Sequence, residues 1–308
     1  MSFGRLVLVT KPTMLEELRA SFACSDDQLA FRLSTNGDSI TEYAEAHAVM
    51  QASLLTLEGQ LARAGLPVAR ISRFDVPTYP FRPTDIVVVM GPDGLFVNIA
   101  TYLQGQPVVT VNPDPLRVDG VQMLHAPTQV AAALAALVAG TAKIQAVTLG
   151  EVVVNGTIRR LAVNEFFLGR RDHVSARYRL RLRGREERQS SSGILIAAGT
   201  GSTGWIRSVA AGAMAVTGGQ PSVRLPFARD ARQLVYAVRE PFESKYTGIS
   251  LSFGALSDGQ TLEVVSEMSR EVGMISSDGV LDDALEFPAG SVAKFSLAKQ
   301  TVSLVLPP

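Results

Sequence analysis

The order of strand-like and helix-like segments constrains this chain most, because the pattern changes part-way along it. In the first half, β-rich runs at residues 6–9, 68–71, 86–90 and 107–111 are separated by stretches with helical periodicity. The run 86–90 is apolar throughout, which is typical of a strand buried on both faces. This alternation predicts an α/β domain built on a parallel sheet.

Two helices of this domain are marked in the sequence. Apolar residues recur at helical spacing between Ile40 and Leu61, which predicts a helix that begins near Asp38 or Ser39 and ends before Gly65. A second helix is expected after Pro127. Ligands of such a fold bind at the carboxyl ends of the strands, so the loops that follow strands are the first places to look for a site.

From about Lys143 the segments are mainly strand-like, and Asn155-Gly156 is a strong signal for a hairpin. A single helix is expected after Thr203. We therefore predict a Rossmann-like α/β domain over residues 1–142 and a mainly β domain over residues 143–308, whose last residues could pack back on the first domain. The strand-like runs of the second domain are 152–154, 157–163, 178–182, 194–198, 234–238 and 262–265.

Composition excludes several classes of function. The 308 residues carry a formal net charge of +0, which gives no general attraction to nucleic acid. Cys24 is the one cysteine and the three histidines have no partner at metal spacing, so no protein-held metal site is predicted. The longest apolar run, Val130–Ala139, is about half of the roughly 20 residues that a membrane-spanning helix needs. We expect a soluble cytoplasmic protein that binds neither nucleic acid nor membrane.

The first candidate site is Gly91-Pro92-Asp93-Gly94, which follows the buried strand and precedes a helical pattern at 95–102. A phosphate chain could lie against the backbone at such a place. Pro-Asp-Gly is also among the commonest turn sequences, so the motif alone favours a simple turn.

Two further elements follow in the β-rich part. The loop Gly199 to Gly204, with the sequence Gly-Thr-Gly-Ser-Thr-Gly, joins a strand-like run to a helix predicted from Trp205 to Ala215. Its glycines permit close approach of a ligand, although a strand-to-helix turn with a capping hydroxyl is the alternative. The pair Asn164-Glu165 can read an adenine edge and ribose hydroxyls, or can be an ordinary exposed strand end.

Arginines occupy alternate positions from Arg177 to Arg185, with Tyr178, Leu180 and Leu182 between them. If this segment is one strand, all five arginines project from one face. A solvated face is the expected interpretation, and an anion-binding strip is the alternative.

Taken together and in this order, the three elements resemble the signature of the NAD kinase family: a Gly-Gly-Asp-Gly-Thr loop after a strand, an Asn-Glu pair, and a loop rich in Gly, Ser and Thr. Further matches are similar to the mitochondrial-type branch of that family. They are the opening Val9-Thr10-Lys11, the segment 111–115, Ser191-Ser192-Gly193, Trp205, the segment 238–241 and the closing Ser277-Asp278-Gly279. The resemblance spans roughly residues 5–300.

The resemblance implies transfer of the terminal phosphoryl group of ATP, or of polyphosphate, to the 2′-hydroxyl of the adenosine ribose of NAD, which gives NADP. It implies Mg²⁺ accompanying the nucleotide and a homo-oligomer, a dimer or a tetramer. Asp93 would be the general base, and Gly91 and Gly94 would shape the phosphate loop. The residues that would bind NAD are Asn164, Glu165, Thr200, Gly201, Ser202, Thr203 and Trp205, the last near the nicotinamide half.

Two alternatives stay open. Pro92 stands where the family has glycine and Leu95 where it has threonine, so a protein that binds NAD(P) with little or no turnover is one alternative. A kinase of the superfamily that acts on another hydroxyl is the other. A dehydrogenase is disfavoured because no Gly-x-Gly-x-x-Gly follows the first strand.

Overall fold

A computed structural model describes residues 3–307 of the chain. They fall into two compact units. The first takes in the described chain up to Gln145 together with the segment that begins at Ser303, and the second is Ala146–Val302. Each is described by itself.

The first unit alternates strands with helices. Its elements are β1 (Arg5–Thr10), α1 (Met14–Phe22), α2 (Asp26–Thr35), α3 (Ile40–Ala62), β2 (Val68–Ser72), β3 (Asp85–Met90), α4 (Asp93–Ala100), β4 (Pro107–Val111) and α5 (Val130–Ala139), with short 3₁₀ turns at Arg73–Thr78 and Pro127–Gln129. The helix predicted from the 40–61 periodicity is α3, and the oxygen of Ser39 caps it by accepting from the N–H of Thr41.

The strands of this unit form a parallel sheet in the order β2-β1-β3-β4, and Ser303 and Leu304 extend it by pairing in parallel with β4. The chain leaves β1 toward β2 on one side but leaves β3 toward β4 on the other. Between β1 and β3 the direction of connection therefore reverses, and ligands of open α/β sheets bind outside the carboxyl ends of the strands at such a point. The loop that begins at Gly91 leaves β3 at this place.

The core of the unit forms because β3 is buried at all six positions and one face of the sheet packs against α3 and α5. Leu6, Ile86 and Val88 contribute from the sheet, and Leu57 and Leu134 from the helices. The buried carboxylate of Asp85 accepts two hydrogen bonds from Arg5, at 2.8 and 2.9 Å, and one from the N–H of Arg82 at 2.7 Å.

The first two helices, α1 and α2, were not predicted from the sequence. Thr13 with Glu16 and Ser25 with Gln28 form capping boxes that begin α1 and α2. Leu15, Leu29 and Leu33 pack together, but few other positions of these helices are buried. The two capping boxes were signals for these helices that the sequence prediction did not use.

The second unit is mainly antiparallel β. Its strands are β5 (Ile144–Val154, which starts in the first unit), β6 (Ile158–Ala162), β7 (Glu165–Arg170), β8 (Ala176–Leu182), β9 (Arg185–Ser191), β10 (Ile194–Ala197), β11 (Gln233–Val238), β12 (Phe253–Ser257), β13 (Leu262–Ser266), β14 (Gly273–Ser277), β15 (Val280–Glu286) and β16 (Val292–Val305, which ends in the first unit). Helix α6 (Trp205–Thr217) follows β10 after a short 3₁₀ turn, Gly201–Thr203.

These strands make two layers. One is a six-stranded sheet in the order β12-β11-β10-β7-β14-β15, and in the other β13 lies between β16 and β8, with β9 beyond β8. Phe166 and Tyr236 of the first layer pack with Tyr178, Val264 and Phe295 of the second in one continuous core. Helix α6 covers the outer face of the six-stranded sheet. The predicted fold class, a Rossmann-like α/β domain with a parallel sheet followed by a mainly β domain, is confirmed.

The five arginines from Arg177 to Arg185 do not lie on one strand, so the condition for a shared face is not met. β8 ends at Leu182, Arg183 turns the chain with φ +51°, and Arg185 starts the antiparallel neighbour β9. Two of the arginines that project outward from β8 meet carboxylates: Arg179 lies 3.5 Å from Glu267, and Arg181 pairs with Glu186 and with Glu263 at 2.8 Å. The ion pairs favour the solvated face over the anion strip.

Within the described chain, no helix combines the length and the apolar composition that crossing a membrane requires.

Removal of the Asp85 carboxylate should destabilise the first unit. We expect Asp85→Ala to lower the free energy of unfolding by about 2–4 kcal/mol, because it leaves the Arg5 guanidinium and a backbone N–H without their buried acceptor. Urea unfolding followed by circular dichroism measures the change. Asp26→Ala, which removes an exposed ion pair with Arg19, is the matched control and should have little effect. Equal losses of unfolding free energy in both variants would contradict a stabilising role for the buried Asp85 carboxylate.

Candidate functional site

The loop after β3 is shaped by a close contact between Gly91 and Leu95. A Cβ on Gly91 would lie 2.8 Å from Cδ2 of Leu95, so a larger residue at position 91 would require the Leu95 side chain to move. Pro92 is the N-cap of α4 and makes no side-chain capping bond, and the helix starts at Asp93 rather than at residue 95 as predicted. The loop therefore places Asp93 and Gly94 in the first turn of a helix, where backbone N–H groups have no partner within the helix.

The carboxylate of Asp93 is half-buried, and two backbone N–H groups of one neighbouring segment fix its position. It accepts hydrogen bonds from the backbone N–H of Val121 at 3.1 Å and of Gln122 at 2.9 Å. Each carboxylate oxygen has a second lone pair, so the side chain can still accept a proton or a hydroxyl hydrogen bond.

The segment that holds Asp93 is itself ordered by Asn112, at the end of β4. The buried amide of Asn112 donates to the carbonyl of Val118 at 2.8 Å and accepts from the N–H of Asp114 at 3.0 Å. Gly120 has φ +61° and lies so close to this amide that a Cβ would be 2.4 Å from its nitrogen. Asn112 thus builds the turn from which Val121 and Gln122 reach Asp93, and its role was not predicted from the sequence.

In the second unit, backbone packing brings the Gly199–Gly204 loop against Asn164 and Glu165. The carbonyl of Asn164 accepts from the N–H of Ala198 at 2.8 Å. A Cβ on Gly201 would lie 2.3 Å from the carbonyl oxygen of Asn164 and 2.7 Å from Oε2 of Glu165. Only glycine at position 201 permits this approach, so the predicted loop and the predicted pair form one cluster.

The hydroxyls of this loop have different tasks. Ser202 is structural, since its Oγ donates to the carbonyl of Gly199 at 2.6 Å and accepts from the N–H of Phe227 at 3.1 Å. Thr203 is exposed and its Oγ1 is 3.3 Å from the carbonyl of Thr200. Thr200 is 4% exposed, and its hydroxyl has no hydrogen-bond partner among residues 3–307. A buried hydroxyl without a partner is costly, so a ligand or water would be stabilised there.

Asp278 organises the start of β7. Its carboxylate accepts from three consecutive backbone N–H groups: Val163 at 3.0 Å, Asn164 at 2.7 Å and Glu165 at 3.3 Å. Its own N–H donates to the carbonyl of Glu165 at 2.9 Å. Asp278 was noted in the sequence only as part of a matching tripeptide, and the Asp278-Gly279 turn dipeptide was the signal for a special position.

Two carboxyl groups with raised pKa values lie in this cluster. Burial, and then the charge of Asp278, raises the pKa of Glu165 from 4.5 to about 7. Burial also raises the pKa of Asp278 from 3.8 to about 6, against the three backbone N–H groups, which lower it. Perturbed acids in one place are typical of functional sites, although ion-pair networks also produce them.

Trp205 lies at the start of α6 and is 39% exposed. Its ring stacks on Phe167, two residues along β7 from Glu165, with centroids 5.3 Å apart. The guanidinium of Arg239 lies 5.2 Å from the centroid of Trp205 and 6.0 Å from that of Phe167. The cluster of residues 164, 165 and 199–204 thus has an aromatic and cationic neighbour that the sequence did not predict as a unit.

The described residues contain no group of three or more His, Cys, Asp or Glu side chains placed to hold a metal ion. Of the three histidines, His47 bonds to Thr13 and His125 is buried against the carbonyl of Thr110. Burial lowers the pKa of His125.

Comparison with solved structures identifies the fold of the chain. No protein-family model matches the sequence, and no curated protein does. The structure is similar to that of a yeast NADH kinase complexed with NADH, with a TM-score of 0.62 and 15% identity over 100% of this chain and 84% of that one. It is also similar to an NAD kinase from Archaeoglobus fulgidus in complex with ATP, with a TM-score of 0.59 and 17% identity over 97% of this chain and 92% of that one. The chain therefore has the fold of the NAD kinases.

The raised pKa of Glu165 predicts a pH-dependent change in stability. The folded protein binds this proton more tightly than the unfolded chain does, so the free energy of unfolding falls as the pH rises from 4.5 to about 7. Glu165→Gln removes this loss. We expect the variant to gain a few °C in Tm over the natural chain at about pH 8 and little at about pH 5.

Differential scanning calorimetry at the two pH values measures the effect. Glu271→Gln, which changes an exposed glutamate of the same unit, is the control. A gain in Tm that is the same at both pH values would show that repacking, rather than titration of Glu165, stabilises the variant.

Proposed function

We propose that this protein is an NAD kinase, which transfers the terminal phosphoryl group of ATP to the 2′-hydroxyl of the adenosine ribose of NAD. The observation that carries the proposal is the cluster of Asn164, Glu165 and Thr200 around Gly201, which offers amide, carboxyl and unpartnered hydroxyl groups in one place. The fold supports it, because the similar structures are of proteins named as an NADH kinase and an NAD kinase.

The acceptor half of the proposal rests on the second unit. Asn164 and Glu165 supply the donors and acceptors that an adenine edge and a ribose diol require, and the buried hydroxyl of Thr200 has no protein partner within the described part of the chain. Gly201, Ser202 and Thr203 form the loop that backs them, and Trp205 offers a flat apolar surface to the nicotinamide half. Glu165 can accept from a hydroxyl when ionised and can donate when protonated.

The donor half rests on the first unit. Gly91 and Gly94 lie on either side of Pro92 and Asp93, where α4 begins at the switch point of the parallel sheet, and free N–H groups and the helix dipole favour phosphate there. Asp93 is the proposed general base. As the 2′-oxygen forms its bond to the γ-phosphorus, its proton passes to the Asp93 carboxylate, the bond to the β–γ bridging oxygen breaks, and ADP leaves with the electron pair.

Mg²⁺ fits the proposed function as an ion bound to the phosphates of the nucleotide. The described residues form no dedicated cage for it, and Mg²⁺ in nucleotide sites is held by phosphates with one or two carboxylates. Asp93 is the carboxylate of the proposed phosphate loop. When bound, the ion would neutralise charge on the phosphates; the chain's own residues bind the acceptor and take its proton.

The proposal predicts that the purified protein converts NAD to NADP when ATP and Mg²⁺ are supplied. Asp93→Asn should lower kcat by about 10²–10⁴-fold, the usual contribution of a general base, with little change in the affinity for NAD. An NADP-specific dehydrogenase coupled to the reaction measures the product. Asp119→Asn, a neighbouring acid of the adjoining loop, is the control. Absence of product with ATP and with polyphosphate would refute the proposal.

A second candidate function is favoured by the neighbours of Asp93. Pro92 has no N–H to offer a phosphate, and Leu95, 1% exposed, packs on Gly91 where a hydroxyl would otherwise face the loop. These residues suit a protein that binds NAD(P) with little turnover.

Pro92→Gly combined with Leu95→Thr separates the two functions. If the natural chain binds NAD(P) with little turnover, we expect the double variant to raise kcat at least about tenfold with an unchanged Kd for NAD. The reason is that the variant supplies one N–H and one hydroxyl beside the phosphates. The coupled assay and calorimetry supply the two quantities. A natural chain with kcat near about 10 s⁻¹, the median for enzymes, would exclude the binding-only function.

A further inference from the structure

The dipeptide Asn164-Glu165 has no regular secondary structure on its amino-terminal side to set its direction. β6 ends at Ala162 and β7 begins at Glu165, so residues 163 and 164 form the bend between two strands. On the side of β7 that pairs with β10, the N–H of Ala198, the residue that follows β10, donates to the carbonyl of Asn164. The backbone N–H groups of the bend face the opposite partner, β14.

Asp278 satisfies all of those N–H groups with one side chain. It lies in the tight turn between β14 and β15, with φ +54° followed by Gly279 at φ +74°. Its two oxygens accept from Val163, Asn164 and Glu165 over distances of 2.7 to 3.3 Å, and its backbone N–H returns a bond to the carbonyl of Glu165. Four hydrogen bonds therefore join one residue of a hairpin turn to a single three-residue segment.

We propose that Asp278 is the positioning residue of the acceptor site: it fixes the Asn164-Glu165 backbone so that both side chains meet the adenosine half of the dinucleotide. This inference rests on the proposed function. A carboxylate suits the task because it is an acceptor at both oxygens, whereas an amide presents an NH₂ to one of the same N–H groups. The unfavourable left-handed backbone at Asp278 is accepted where an Asp-Gly turn must carry this side chain.

The inference predicts a selective defect. Asp278→Asn keeps the shape of the side chain and the turn, but it replaces one acceptor oxygen by a donor, so the dipeptide must rotate away. We expect the Kd and the KM for NAD to rise at least about tenfold. A loss of this size corresponds to about one charge-assisted hydrogen bond. The KM for ATP should change less than about twofold, because no ATP-binding assignment involves this bend.

The experiment measures NAD binding by calorimetry and both KM values by the coupled assay, in the natural chain, in Asp278→Asn and in Asp282→Asn. Asp282 is exposed on the same hairpin and is the matched control, which should behave like the natural chain. A loss confined to NAD supports the inference. Unchanged NAD binding overturns it, and so does an equal rise of both KM values together with a lower Tm, which would mark a purely structural role.

Asp278→Glu covers the case in which the asparagine variant does not fold. It keeps both acceptor oxygens but moves them by one methylene, so the same selective weakening of NAD binding is expected, and natural affinity in this variant overturns the inference. If the natural chain itself binds no NAD, the proposed function and this inference both fall. Natural binding with no effect of Asp278 removes the inference alone.

Discussion

The arrangement of the candidate site depends on how closely two stretches of backbone can approach one another. At Gly201 the loop runs within van der Waals contact of the Asn164 carbonyl, at a separation that leaves no room for a Cβ. The same is true of Gly199 beside Ala228, whose carbonyl oxygen would lie 2.1 Å from a Cβ. Because both contacts involve main-chain atoms, no rotamer change could relieve them. The side chains around this contact are placed by backbone geometry first and by their own chemistry second.

Much of the fold could be predicted because the spacing of apolar residues along the chain indicates its strands and helices. Residues 86–90 are apolar throughout and become a strand buried on both faces, and the helical repeat from Ile40 to Leu61 becomes α3. Strands whose pattern is irregular were not predicted. β15 has no fully buried position and β9 is largely polar, because edge strands and ion-paired faces do not need an apolar alternation. Tertiary pairing, rather than propensity, makes these segments strands.

The same division applies to the candidate site. Asp93, Asn164 and the Gly199–Gly204 loop could be found because each lies at a strand end in a recognisable short motif. Asp278 could not be assigned from the sequence, since its partners are backbone N–H groups 113 to 115 positions earlier. Asn112 bonds within its own turn, to the N–H of Asp114 and the carbonyl of Val118, and its effect on Asp93 depends on how that turn folds. A side chain that accepts from backbone leaves no trace in the identity of its partners. Supporting residues of this kind emerge only when the chain is folded.

The stack of Trp205 on Phe167 has a practical consequence for how the protein can be observed. Trp205 is the one tryptophan in 308 residues, and it lies wholly within the second unit. Indole emission, excited at the red edge where tyrosine does not absorb, therefore comes from a single known location beside an aromatic ring and a guanidinium. Circular dichroism instead averages over the helices and strands of both units. The two signals together distinguish loss of structure near Trp205 from loss of structure elsewhere, with no label added to the protein.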